Sequence, residues 1–276
     1  MTVLASGLYL LQAQDLDDIR TKAANGDPTA QVHMGLVYKN GFDVTQDFKQ
    51  AVKWFRLAAD QDFASGQKNL GQMYYLGLGV PQDYAEAAKW FRKAAEGNYA
   101  ESQDWLANLY QNGQGVDKNM VEAAKWYKKS ADQGYASAQE HLGYLYTTGD
   151  GIEQNFAEAQ KLFRLAVDQD FASAENDLGR MYEQGQGVER NYATAASWYR
   201  KAAERGFGGA QNNLAIAYAL GQGVNKDPVE ACRWFTLAET HGDHNGADLF
   251  AKLRAEMTPV ESEKARELVS NFIPKP

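Results

Sequence analysis

The sequence predicts an all-α solenoid of six 36-residue helix–turn–helix repeats with N- and C-terminal capping helices, and three columns of residues carry that prediction. Tyrosine recurs at Tyr38, Tyr74, Tyr110, Tyr146, Tyr182 and Tyr218, each step being 36 residues. A bulky apolar pair recurs at Trp54–Phe55, Trp90–Phe91, Trp126–Tyr127, Leu162–Phe163, Trp198–Tyr199 and Trp234–Phe235. Glycine recurs at Gly41, Gly77, Gly113, Gly149, Gly185 and Gly221. The repeats occupy about residues 25–240, which leaves no room for a second domain within residues 15–276. A single helix pair cannot bury both aromatic columns by itself, whereas stacked neighbours can.

Within each repeat the second helix has the better-marked ends. Asp47, Asp83, Asn119, Asn155, Asn191 and Asp227 stand at its start, where a short side-chain oxygen accepts from the orphan backbone amides. Three residues on, Gln50, Glu86, Glu122, Glu158 and Glu230 are placed to return a bond and complete a capping box, and Thr194 is not. Pro228 suits the first helical position, where its missing N–H costs nothing. Asp62, Asn98, Gly134, Asp170, Gly206 and Gly242 end these helices with residues that tolerate a left-handed backbone.

The first helix, about Ala100–Gln111 in the third repeat, shows an apolar face through Leu106, Ala107 and Tyr110. The loop after it reads GxGV from Gly77, Gly113, Gly149 (with Ile152 for Val), Gly185 and Gly221, and GFDV in the first repeat. No strand pattern precedes these glycines, so they read as turns rather than as a phosphate cradle. The apolar residue that follows (Val44, Val80, Val116, Ile152, Val188 or Val224) is expected to plug the joint between helices. Before the array, Asp15–Ala24 matches a lone second helix with Ile19 in the aromatic column. After it, a cap spans about residues 243–273. Its last helix starts with Thr258 as N-cap, Pro259 as first residue and Glu261 as capping-box partner. Val260, Ala265, Leu268, Val269 and Phe272 are expected to cover the last repeat's open edge.

The pattern AxxQxxLGxxYxxGxGVxxDYxEAAKWFRKAAExG resembles the Sel-1-like repeat, a relative of the tetratricopeptide repeat, over about residues 15–245. That resemblance implies a right-handed α/α superhelix and a role in binding or assembling partners. Some bacterial members carry a disulfide in every repeat and are linked to β-lactams. This chain has one cysteine, Cys232, so that trait does not transfer. The closing segment is similar to the terminal cap of exported bacterial members.

Composition narrows the function. A net charge of −8 with no basic block opposes nucleic-acid binding, which depends on phosphate contacts. No apolar run is long enough to span a membrane. Residues 1–14 contain the apolar stretch VLASGLYLL without a basic start, and both an export-signal remnant and a plain N-terminal segment remain open. The first would place the protein in the periplasm or outside the cell, the second in the cytoplasm. The sequence carries no signal for oligomeric state. Nothing calls for a cofactor or a metal: HGDH (His241–His244) falls where every repeat ends a helix. SGQK (Ser65–Lys68) has the S-x-x-K spacing of penicillin-binding enzymes but lacks their companion motifs. Cys232 shares a column with Ala88, Ala124 and Ala196, which marks a packed small side chain.

Function must then lie in what varies between repeats. Rotating the first helix by about 100° per residue puts Gln103, Leu106, Ala107 and Tyr110 on one face and a variable arc opposite. The candidate groove is Tyr75, Asp104, Trp105, Asn108, Gln111, Asn112, Glu140, His141, Tyr144, Asn176, Arg180 and Glu183. Trp105 is the one tryptophan outside the scaffold column, and it reads either as packed against the neighbouring repeat or as an exposed anchor. Arg180 and Glu183 read as an i,i+3 ion pair in water. A carboxylate clamp of the tetratricopeptide kind is not expected, because Gln72 and Trp105 stand where Asn would be needed. The leading expectation is a non-enzymatic scaffold that binds a protein or peptide. The alternative is a cell-wall- or β-lactam-related enzyme or ligand binder.

Overall fold

The computed structural model describes residues 13–275. Secondary structure among the described residues is entirely helical. The N-terminal stretch VLASGLYLL lies outside them. The chain divides into two compact units, one ending at Gln133 and the other beginning at Gly134.

The first unit holds α1 (Ala13–Ala24), α2 (Pro28–Asn40), α3 (Phe48–Ala59), α4 (Ala64–Leu76), α5 (Tyr84–Glu96), α6 (Ala100–Asn112) and α7 (Met120–Asp132). The second holds α8 (Ala136–Thr148), α9 (Phe156–Val167), α10 (Ala172–Gln184), α11 (Tyr192–Glu204), α12 (Gly208–Leu220) and α13 (Pro228–Thr240), then α14 (Ala247–Glu256) and α15 (Pro259–Ser270). Even-numbered helices from α2 to α12 are the first helices of the repeats. Each packs against its own second helix and, within a unit, against the second helix of the repeat before it.

The aromatic columns form the core. Phe55, Phe91, Tyr127, Phe163, Tyr199 and Phe235 are fully buried, each contributing about 2–3 kcal/mol of apolar transfer. Gly35, Gly71, Gly143 and Gly179 face these rings so closely that an added Cβ would overlap them. In the third and sixth repeats the same position holds a buried alanine, Ala107 or Ala215, so the contact is tight but not restricted to glycine.

All six second helices start as expected: the Asp or Asn side chain accepts from the amide three residues on. The reciprocal half of the capping box is absent, for a specific reason. The N-cap amide is already spent on the tyrosine column of the first helix, as in Asp83 N–H to the Tyr74 carbonyl (3.0 Å) and Asn119 N–H to that of Tyr110 (2.9 Å). The freed glutamates instead pair with the cation three residues on: Glu86 with Lys89, Glu122 with Lys125, Glu230 with Arg233. At α15, where no tyrosine carbonyl competes, Thr258 and Glu261 make the full box.

The tyrosines also tie consecutive repeats together. Arg92 donates to the Tyr110 hydroxyl (2.7 Å) and Arg200 to that of Tyr218 (2.6 Å). The loop glycines have a similar inter-repeat cause. A Cβ on Gly115 would lie 2.2 Å from the Tyr84 carbonyl oxygen, and one on Gly223 2.1 Å from that of Tyr192. Each loop therefore lies directly on the start of the preceding second helix, at a backbone of positive φ. Val80 packs into the core beside it, as expected of a plug. Asp62, Asn98 and Asp170 take the left-handed conformation at the ends of second helices.

The C-terminal cap is a shortened helix pair. Phe250 of α14 stacks on Phe235 at 5.2 Å, and Ala265, Leu268, Val269 and Phe272 pack on the last core cluster. Val260 is a correction: it is 78% exposed, because it sits in the first turn of α15 on the face turned from α13.

Candidate functional site

In each unit the variable side chains lie on the first helices, and the two units are described in turn. In the first unit, Trp105 of α6 stacks on Phe91 of α5 (centroids 5.4 Å, planes 10° apart) and meets Tyr75 of α4 edge-on at 5.1 Å. Tyr75 in turn lies edge-on to Tyr84. Trp105 is therefore packed against the preceding repeat while remaining half-buried. Asn112 donates to both the carbonyl and the side-chain oxygen of Asn108, at 3.0 Å each. Gln111 accepts from the Tyr127 hydroxyl at 3.0 Å, so the scaffold already engages it.

Two of the predicted residues are not on an open surface. Asp104 and Asn176 are buried. A helical wheel treats one helix as isolated, but first helices have neighbours on both sides. Within the second unit the side chain at this column meets the next column of the following first helix: Asn213 donates to Asn176 at 2.9 Å, and Glu140 hydrogen-bonds Asp177. Two of the arc's six columns are thus engaged by the adjacent repeat.

The second unit's portion is electrostatically unusual. Asp177 of α10 is buried beside Glu140 of α8. Burial, followed by the Glu140 charge, pushes its carboxyl up to about 8, while Arg180 and His141 pull the other way. The two carboxyls share a proton at neutral pH. Arg180 lies 3.6 Å from Asp177, and His141 lies 3.6 Å from Glu140. The expected Arg180–Glu183 pair does not form: Glu183 accepts from the buried Tyr199 hydroxyl at 3.0 Å. Tyr144 is 40% exposed and forms the lip of a cleft of about 90 Å³. Thr147, Thr148, Asp177, Arg180, Gln184 and Gln186 supply the cleft's polar wall, with Phe163 and Met181 behind them. Thr148 and Gln184 stand in the column of Asn112, on the variable arc, but are not among the candidates; Gln186 lies in the loop beyond the helix, where a helical wheel has no reach.

A glutamine column next to this face is structural. Gln103 donates to the Ala95 carbonyl (3.1 Å) and accepts from Gln133 (2.7 Å), and Gln211 repeats the carbonyl bond to Ala203 (3.1 Å). His241 takes the Gln133 role opposite Gln211 at 2.8 Å, which accounts for one histidine of HGDH. The Lys68 ammonium of SGQK pairs with Glu101 at 3.2 Å. Among the described residues no cluster of three His, Cys, Asp or Glu could hold a metal. No described helix is long and apolar enough to cross a membrane.

Comparison with known proteins follows the same architecture. No curated protein matches the chain. Among solved structures, c5321, a protective antigen present in uropathogenic Escherichia coli strains and displaying an SLR fold, is 35% identical with a TM-score of 0.74. The match covers 92% of this chain and 56% of that one, so this chain spans little more than half the antigen's length. A Sel1 repeat protein from Oxalobacter formigenes is 32% identical with a TM-score of 0.74, over 89% of this chain and 99% of that one. The immunity protein PA5088 from Pseudomonas aeruginosa shares the fold at 19% identity and a TM-score of 0.51, over 83% and 82% of the two chains. The Sel1 repeat family matches six times, at residues 28–63, 64–99, 100–135, 136–171, 172–207 and 209–243. With helix pairs, tyrosine joints and glycine loops in the same register as those matches, the chain belongs to the Sel1 repeat family and is an α-solenoid of that kind.

Proposed function

We propose that the chain is a non-enzymatic scaffold that binds a protein partner, an extended peptide or a helix, along the groove formed by its first helices. One observation carries the reading. The second helices and joints are near-identical from repeat to repeat, while the first-helix face changes its side chains at every step. Accessible aromatic and amide groups suited to peptide contact stand on that face: Tyr75, Trp105, Asn108 and Asn112 in the first unit, Tyr144 and Arg180 in the second. An interface of standard size would cover about 800 Å² of this surface.

The test is an affinity capture from source cells with wild type and a Trp105→Ala/Tyr144→Ala variant of matched thermal stability. The reading expects a partner held by wild type and lost by the variant. The same catch from both would move the site to the second helices, the loops or the caps.

A further inference from the structure

The cleft of the second unit holds more hydrogen-bond donors than the scaffold uses. Its volume is about 90 Å³, and α8 and α10 supply most of its lining. Small-molecule sites run to ~300–1,000 Å³, so this space suits one polar group of a larger ligand. Among the described residues the side chains of Tyr144, Gln184 and Gln186, all on the cleft wall, make no hydrogen bond. Arg180 reaches Asp177 through one nitrogen at 3.6 Å, too far for a hydrogen bond, and 45% of its side chain is exposed. The remaining N–H groups of its guanidinium are unspent. Thr147 and Thr148 differ: their hydroxyls already donate to the Tyr144 carbonyl, at 2.7 and 3.3 Å.

A guanidinium, two amides and a phenol therefore line one small space with donors to give, and the guanidinium brings a full positive charge. Asp177 is the one acid among the lining residues, and it is buried. Burial keeps a proton on its carboxyl at neutral pH, so it does not cancel the Arg180 charge. Glu140 and His141 act on Asp177 but do not line the cleft. We infer that this cleft is a carboxylate subsite of the first-helix face, where Arg180, Gln184, Gln186 and Tyr144 hold an acidic side chain or the C-terminal carboxylate of the bound peptide. The planar fork of a guanidinium matches the two oxygens of a carboxylate. One guanidinium balances one carboxylate, whereas a phosphate dianion would leave a charge uncompensated, and a cationic side chain would be repelled. The inference rests on the groove reading above and names the chemistry of its ligand.

NMR titration of the full chain at constant ionic strength tests this with four probes: N-acetyl-glutamate amide, N-acetyl-glutamine amide, N-acetyl-glutamine with a free carboxylate, and inorganic phosphate. The glutamate probe should shift the Arg180 side-chain N–H and the Thr147 and Thr148 methyl signals, with a Kd on the order of millimolar for so small a ligand. The glutamine amide should not. Binding by the free-acid glutamine alone would assign the carboxylate to a chain terminus and still support the subsite, provided Arg180→Gln weakens it. Arg180→Gln should weaken the acidic probe by about tenfold, the loss of one charge-assisted hydrogen bond. Tyr144→Phe should weaken it by about threefold. The latter removes a single hydroxyl from a residue 40% exposed, so it keeps the fold and decides the matter if Arg180→Gln is destabilised. Equal affinity for the acidic and neutral probes, shifts confined to residues outside the cleft, or tighter binding of phosphate would overturn the inference. So would an affinity unchanged in Arg180→Gln, or in Tyr144→Phe where that variant decides. In the capture experiment, loss of the natural partner from the Trp105→Ala/Tyr144→Ala variant but not from Arg180→Gln would overturn the carboxylate subsite and leave the groove reading standing.

Discussion

The third and fifth repeats place the same backbone under very different side chains. In the third, Gln103 satisfies both ends of its amide, and Trp105 two residues on is stacked on Phe91. In the fifth, the equivalent positions are Glu175 and Asp177, and both are buried acids. Glu175 has no hydrogen to donate when ionised, and its Oε2 is buried without a partner. Its carboxyl is raised, chiefly by burial, with Arg205 opposing. Arg205 stands where Gln133 stands in the third repeat, but its guanidinium reaches Asp170 at 3.1 Å instead. Asp177 keeps a proton by sharing it with Glu140. The fold thus tolerates either an edge-on aromatic pair, Tyr75 with Trp105, or a proton-sharing pair, Glu140 with Asp177, between successive first helices. The third repeat is indifferent to pH at this position, and the fifth is not.

Removing the ring beneath the tryptophan should have the largest effect. Phe91→Ala deletes a fully buried side chain and the stack on Trp105, and should cost about 3–5 kcal/mol in denaturant unfolding, with red-shifted tryptophan emission. A loss below about 1 kcal/mol would show that the third repeat can close the gap and that its stack is not what distinguishes it.

The fifth repeat should reveal itself by pH. Asp177 titrates near 3.8 in the unfolded chain and at about 8 when folded, so the native state holds the extra proton between those values. Its stabilising contribution is complete below the unfolded value and is lost as pH rises through about 8. Asp177→Asn keeps a donor for Glu140 and cannot ionise. The variant should match wild type near pH 4 and exceed it by on the order of 2 kcal/mol at pH 9. Parallel stability curves for the two proteins would remove the proton-sharing pair from the account.

The smallest expected change makes the fifth repeat more like the third. Glu175→Gln supplies the missing donor toward the Val167 carbonyl, the position that Ala95 holds for Gln103. It should raise stability by about 1 kcal/mol at pH 7, and by less at pH 4, where the raised carboxyl of Glu175 is already protonated. A destabilised variant would mean that the Arg205 charge needs Glu175 more than the carbonyl needs a donor.

Much of this was legible from residue types and spacing. The N-caps at Asp47 through Asp227, the left-handed Asp62, Asn98 and Asp170, and the Thr258–Glu261 box all follow from local backbone demands, which a short sequence window contains. The internal capping boxes failed because Tyr38, Tyr74 and their equivalents, nine residues upstream, claim the N-cap amides. The candidate face was legible as a set of columns but not as a surface. Asp104 and Asn176 are closed off, and Gln111 and Glu183 are drawn into bonds with Tyr127 and Tyr199. Lys68 and Glu101 come from different repeats, so no single window pointed to their ion pair.

By itself the sequence determined the repeat, its period and the ends of nearly every helix, because caps, turns and amphipathic faces are set by neighbours within about one helical turn or one loop. Only the tertiary structure decided which variable side chains stay accessible and which carboxyls keep a proton. Those outcomes depend on how much water each group loses and what faces it across a packed helix, and residues 29 to 37 positions apart control both.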